Sequence, residues 1–135
     1  MGEKYYIASK LENAENVKLV KAVLDSRGWH HTYDWTVHGS VQREGRTVIR
    51  EVAKRETEGV LEANVVIVLL AGGRGTHVEL GLAIGSPGTS IYIVASDVEN
   101  DFGDSGNTCA FYHHPHVTQV ASIPELIKLL AQNYP

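Results

Sequence analysis

The chain has 135 residues, a formal net charge of −4, and 43% hydrophobic and 21% charged residues. This length suits one ordinary domain with its own core, and the composition argues against intrinsic disorder. The negative charge excludes a broad electrostatic footprint for a nucleic-acid polymer. A single cysteine, Cys109, excludes an internal disulfide framework.

No apolar run reaches the length of a membrane span, and the first residues lead into a strand-like segment without an apolar signal region. We therefore expect a cytoplasmic protein without a membrane partner.

The first half of the chain predicts two strands and two long helices. Apolar residues at helical spacing follow the first strand, and Gly28 ends that helix. The predicted elements are a strand over residues 5–9, a helix over 12–27, a strand over 31–35, a polar loop over 37–46 and a helix over 47–63.

The second half begins with six consecutive apolar residues, a pattern typical of a central parallel strand covered on both faces. We predict strands over residues 65–70, 90–95 and 117–120, helices over 77–84 and 124–130, and a loop over the acidic, glycine-rich residues 97–106. This alternation predicts an α/β fold: a single-domain, flavodoxin/Rossmann-like three-layer sandwich with a parallel five-stranded sheet in the order 2-1-3-4-5. Ligands bind such sheets beyond the carboxyl ends of the strands, here residues 8–10 and 72–76.

A glycine-rich turn joins the predicted central strand to the next helix. Gly72, Gly73 and Gly75 would let backbone N–H groups approach a ligand, and the helix N-terminus favours an anion. The turn matches neither the Walker pattern nor GxGxxG.

Two glutamates are candidates for chemistry, and each has a purely structural alternative. Thr76 and Glu79 match a capping box, in which the Glu79 side chain would bind the N-cap amide instead of a substrate. Glu56 lies within the apolar stripe of its helix, so it either reaches solvent at the helix edge or faces a polar cavity.

Three further residues each have a structural and a functional interpretation. Tyr6, on the first strand, is either a core or a catalytic tyrosine. Lys10 and Arg74 either bind an anionic group at the strand ends or are solvated. The histidines at 113, 114 and 116 fit no zinc spacing, and nothing places a base beside Cys109, so we expect no metal site and no nucleophilic thiol.

Residues 6–9, 63–67 and the segment GT-x-x-ELG-x-A at 75–83 together resemble the nucleoside 2-deoxyribosyltransferase family, which includes the 2′-deoxynucleoside 5′-phosphate N-hydrolases. The resemblance covers residues 4–130 and implies one such domain over the chain. It implies cleavage, by hydrolysis or base exchange, of the N-glycosidic bond of a (deoxy)nucleoside or its 5′-monophosphate. It also implies no cofactor, and a homodimer or higher homo-oligomer whose sites are completed across subunits.

The resemblance implies roles for particular residues. Glu79 would be the nucleophile, Tyr6 would orient it, and Glu56 would manage the proton on the departing base. Asn107 is the loose match to a residue that the family borrows from a neighbouring subunit. The remaining expected substrate-binding residues are Ser9, Lys10, Gly73, Arg74, Gly75 and Thr76.

The chain departs from the family pattern at three positions: Asn64 and Glu56 each replace a usual Asp, and Gly73 replaces an Asp or Ser. These departures leave open a non-catalytic nucleotide-binding or sensor module. The run from Gly72 to Glu79 is also similar to the GGxGTxxE motif of the cytokinin-activating phosphoribohydrolases. A TIR-like NAD-cleaving relative is a third alternative.

Overall fold

The computed structural model describes residues 2–135. Its strands are β1 (Lys4–Ala8), β2 (His30–His31), β3 (Val65–Leu69), β4 (Ser90–Val94) and β5 (Val117–Val120). Its α-helices are α1 (Ala14–Ser26), α2 (Arg46–Glu62), α3 (Arg74–Ile84), α4 (Val98–Phe102) and α5 (Ile123–Asn133), and short 3₁₀ turns lie at Leu11–Asn13, Trp35–Val37 and Ala110–His113. All strands are parallel in the order β2-β1-β3-β4-β5, which confirms the predicted fold class and topology.

The central strand, β3, is buried along its whole length. It pairs with β1 on one side, where Tyr6 faces Val66, and with β4 on the other, where Ile67 faces Tyr92. Helix α1 packs against α5, and α2 packs against α3. Right-handed crossovers place these two helix pairs on opposite faces of the sheet. Because β1 and β3 are parallel neighbours, their carboxyl ends lie side by side.

The second strand is much shorter than the predicted 31–35, because local side-chain hydrogen bonds end it. The Asp34 carboxylate accepts from the backbone N–H of Thr36 at 3.0 Å, which caps the 3₁₀ turn Trp35–Val37. Such bonds compete with the sheet ladder. Trp35 is consequently buried against β1, where its Nε1–H donates to the Ile7 carbonyl at 2.8 Å.

The predicted loop over 97–106 is wrong in its first part, which forms the short helix α4. The Asp97 side chain accepts from the Asn100 N–H at 3.1 Å, and the buried Asp101 carboxylate accepts from the N–H groups of Ser96 and Asp97. Capping carboxylates therefore hold this helix without an apolar stripe.

Gly59 allows α2 to lie directly on β1. A Cβ at this position would lie 2.9 Å from Tyr33 Cβ and 3.1 Å from Tyr6 Cδ2. The Gly59 carbonyl also accepts from the Thr32 hydroxyl at 2.7 Å. This close approach determines how near Glu56, one turn earlier on α2, comes to the sheet.

Gly59→Ala should lower the free energy of unfolding by about 1–3 kcal/mol, because the added methyl group overpacks this contact. Gly81→Ala is the matched control, since a Cβ at that exposed position in α3 meets nothing within 4 Å. It should be neutral or stabilising by up to about 1 kcal/mol. Urea unfolding measures both changes, and equal effects would contradict the close approach.

Candidate active site

A buried hydrogen bond joins β1 to α3 at the carboxyl end of the sheet. The Tyr6 hydroxyl donates to Glu79 Oε2 at 2.8 Å. Tyr6 is fully buried and Glu79 is 7% exposed. Tyr6 is thus a core tyrosine whose polar end holds a carboxylate.

Helix α3 begins at Arg74, three residues before the predicted start, and this places Glu79 on its inner face. The Gly73 N–H donates to Thr76 Oγ1 at 3.0 Å, so Thr76 is the third helical residue instead of the N-cap. The capping-box interpretation of Thr76 and Glu79 is therefore wrong. Gly72 is required here, since a Cβ would lie 2.5 Å from Thr76 Cγ2.

Glu56 on α2 brings a second carboxyl group to the same place. Its side chain lies within hydrogen-bonding reach of Glu79, and both residues line one cavity. Glu56 therefore faces a polar cavity and does not reach out to solvent at the helix edge.

The site raises the pKa of both glutamates. Burial is the largest cause for each; for Glu79 the hydrogen bond from Tyr6 opposes the increase, whereas the charge of Glu56 adds to it. Two carboxyl groups this close titrate as a pair. In the pH range between their two ionisation steps, the pair holds one proton, which the two groups share. Burial, and then the charge of Glu79, raise the pKa of Tyr6, which stays a hydrogen-bond donor.

The cavity has a volume of about 150 Å³. It is lined by most of the residues predicted for the site and by four others that the sequence did not indicate. The predicted residues are Ser9, Lys10, Glu56, Gly73, Gly75, Thr76 and Glu79; the others are Leu11, Trp35, His38 and Gly39.

Ser9 fixes the floor of this cavity. Its hydroxyl donates to the Leu69 carbonyl at 2.7 Å and accepts from Asn13 Nδ2 at 3.0 Å, so it ties the ends of β1 and β3 together. Lys10 is exposed and also borders a larger cavity of about 580 Å³ between the N-terminal ends of α1 and α5.

Arg74 and Asn107 lie outside the cavity lining. Arg74 is exposed at the start of α3, and Asn107 is exposed in the segment after α4, where its Nδ2 donates to Asn100 Oδ1 at 3.0 Å. Their expected substrate contacts remain predictions.

Two of the additional lining residues had a detectable signal in the sequence. Asp34 and Thr36 form a capping pair, which could have indicated the turn that carries Trp35 and His38 into the cavity. A glycine one turn after Glu56 could likewise have indicated close packing of α2.

Within residues 2–135, no three side chains of the metal-ligating types His, Cys, Asp and Glu converge on one point. The helices described over the same residues include none with the length and apolar character needed to cross a membrane.

Comparisons with known proteins find similar solved structures but no matching sequence family. No family model matches, and none of the curated proteins matches. A solved structure titled CMP N-glycosidase, BcmB, of Clostridium botulinum is similar, with a TM-score of 0.64 and 15% sequence identity. The match covers 97% of this chain and 99% of that chain. At this identity the likeness shows a shared fold.

The raised pKa of Glu79 predicts a stability that falls with pH. The folded state keeps a proton that the unfolded state releases above about 4.5, the ordinary pKa of this side chain. Between about pH 5 and about pH 8, the wild-type protein should lose at least about 1 kcal/mol of unfolding free energy relative to Glu79→Gln. Urea unfolding over this range measures the difference.

Glu58→Gln is the control, since Glu58 is exposed on the same helix as Glu56. It should follow the pH dependence of the wild-type protein. Parallel curves for wild type and Glu79→Gln would show that the buried pair does not hold a proton.

Proposed function

We propose that the protein cleaves the N-glycosidic bond between a base and the sugar of a (deoxy)nucleoside or its 5′-monophosphate. The observation that carries the proposal is the buried contact of Glu79 with Tyr6 and Glu56 at the carboxyl end of the sheet. A carboxylate held by one donor beside a second carboxyl group that shares its proton provides a nucleophile and an acid in one cavity.

In the first step, a Glu79 carboxylate oxygen attacks the anomeric carbon while the bond to the base breaks. The bonding electrons leave with the base, and the proton that the two carboxyl groups shared, now on Glu56, passes to it. Tyr6 keeps its hydrogen bond to Glu79 and orients it. The product of this step is a glycosyl ester on Glu79 together with the free base.

In the second step, Glu56, now a carboxylate, takes a proton from a water molecule whose oxygen attacks the anomeric carbon. The ester bond breaks, Glu79 is regenerated as a carboxylate, and Glu56 is protonated again. The net reaction is hydrolysis with retention at the anomeric carbon. A second base in place of water would give base exchange by the same steps.

Substrate entry must separate the two carboxyl groups. Retaining glycosidases hold their acid and nucleophile about 5–5.5 Å apart, whereas Glu56 and Glu79 are within hydrogen-bonding reach of each other. We infer that the sugar enters between them and breaks their shared hydrogen bond.

Two further observations support the proposal. The similar solved structure, whose match covers 97% of this chain, is titled a CMP N-glycosidase, and CMP is a nucleotide. Asn64, one departure that favours a sensor module, lies before β3 at the opposite end of the sheet, where its Oδ1 accepts from the Lys4 N–H at 2.7 Å. This departure therefore leaves the cavity unchanged.

The cavity is smaller than the roughly 300–1,000 Å³ of usual ligand pockets. We propose that part of the substrate extends past Lys10 at the edge of the cavity, towards Arg74 and a second subunit that contributes Asn107. The assembly would be a homodimer or a higher homo-oligomer, and the expected setting is cytoplasmic.

Release of free base from deoxynucleosides, ribonucleosides and their 5′-monophosphates, with and without an acceptor base, tests the proposal by chromatography. Glu79→Gln should reduce kcat at least about 10³-fold, because the amide cannot form the ester. Glu56→Gln should reduce kcat about 10²–10⁴-fold through loss of the acid. Tyr6→Phe should reduce it about 10-fold or more.

Glu58→Gln, exposed on α2, should keep wild-type turnover. Thermal unfolding of each variant separates lost chemistry from lost folding. Absence of base release from every substrate would overturn the proposal, and nucleotide binding without turnover would favour a sensor module.

A further inference from the structure

His38 lies at the mouth of the site cavity on a turn that is anchored to β1. The preceding residues form the 3₁₀ turn whose Trp35 donates to the Ile7 carbonyl, and the His38 backbone N–H donates to the Trp35 carbonyl. Its ring packs against Tyr33, with 5.8 Å between ring centroids. The imidazole is therefore held in place although it is exposed.

The hydrogen bond made by His38 determines what its other nitrogen can do. Nδ1 lies 2.7 Å from the Gly39 carbonyl oxygen, which can only accept, so Nδ1 carries the hydrogen. In the neutral ring, Nε2 then has a free lone pair and acts as an acceptor.

Burial orders the polar groups of the cavity from the inside outward. Glu79 is buried, Glu56 is partly buried, and His38 is exposed. His38 and Glu56 line the same cavity. In the proposed reaction the anomeric carbon lies at Glu79 and the base beside Glu56, so the outer edge of the base would face His38.

We propose that His38 contacts the base through Nε2 and selects bases with an exocyclic amino group over those with a keto oxygen at the same position. The inference rests on the proposed function. An amino group donates to Nε2, whereas a keto oxygen meets it lone pair to lone pair and leaves both atoms unpaired. Cytosine is favoured over uracil, and adenine over hypoxanthine.

The test compares kcat/KM for cytosine and uracil on whichever sugar or sugar phosphate the wild-type protein accepts; adenine and hypoxanthine replace them for a purine-cleaving protein. The wild-type ratio should favour cytosine about fivefold to tenfold. His38→Gln should bring the ratio near one, because an amide both donates and accepts. His38→Ala should lower cleavage of the cytosine compound alone.

The control is His116→Gln, an exposed histidine outside the cavity, which should keep the wild-type ratio. A wild-type preference for uracil, or a cytosine preference that survives in His38→Gln, would overturn the inference.

Binding separates a failure of this inference from a failure of the proposed function. Calorimetry on Glu79→Gln with cytidine and uridine 5′-monophosphates should show tighter binding of the cytosine compound, and Glu79→Gln/His38→Gln should lose the difference. If no base is released but this pattern is found, the selectivity stands and the glycosidase proposal falls. Equal binding of both nucleotides by Glu79→Gln overturns the selectivity.

Discussion

The hydrogen bond from Tyr6 to Glu79 is the contact on which the rest of the site depends. It joins β1 to α3, across 73 positions of the chain. Burying a carboxyl group is costly unless a partner satisfies it, and the nearby carboxyl group of Glu56 increases that cost. The hydrogen bond from Tyr6 offsets part of this cost, and sharing one proton removes one of the two negative charges. In the proposed reaction, this pair supplies the nucleophile and the acid.

Small residues bring the helices close enough for this contact. Gly59 lets α2 lie on Tyr6 and Tyr33, and Gly72 leaves room for the Thr76 side chain at the start of α3. Glu56 and Glu79 then face each other from two helices on the same side of the sheet. Larger side chains at these glycines would push the helices outward and separate the carboxyl groups.

The sheet topology and the position of Glu79 could be predicted from sequence. The topology depends on local patterns of apolar residues, and Glu79 lies in one specific motif. The apolar run of β3 predicts a central parallel strand, and the GT-x-x-ELG-x-A segment points to Glu79. Local sequence patterns did not predict the long-range contacts. The end of β2 depends on Asp34 capping a turn, and the place of Trp35 depends on a hydrogen bond to a strand 28 residues earlier.

The most direct test of the account is whether Glu79 becomes covalently bonded to the sugar. A 2′-deoxy-2′-fluoro nucleotide should slow the second step, because fluorine destabilises the positive charge that develops at the anomeric carbon during ester hydrolysis. Intact-protein mass spectrometry followed by peptide mapping should then find the fluorosugar on the peptide that contains Glu79, and no adduct in Glu79→Gln. Continued release of base from this nucleotide without any adduct, or an adduct on another residue, would contradict the account.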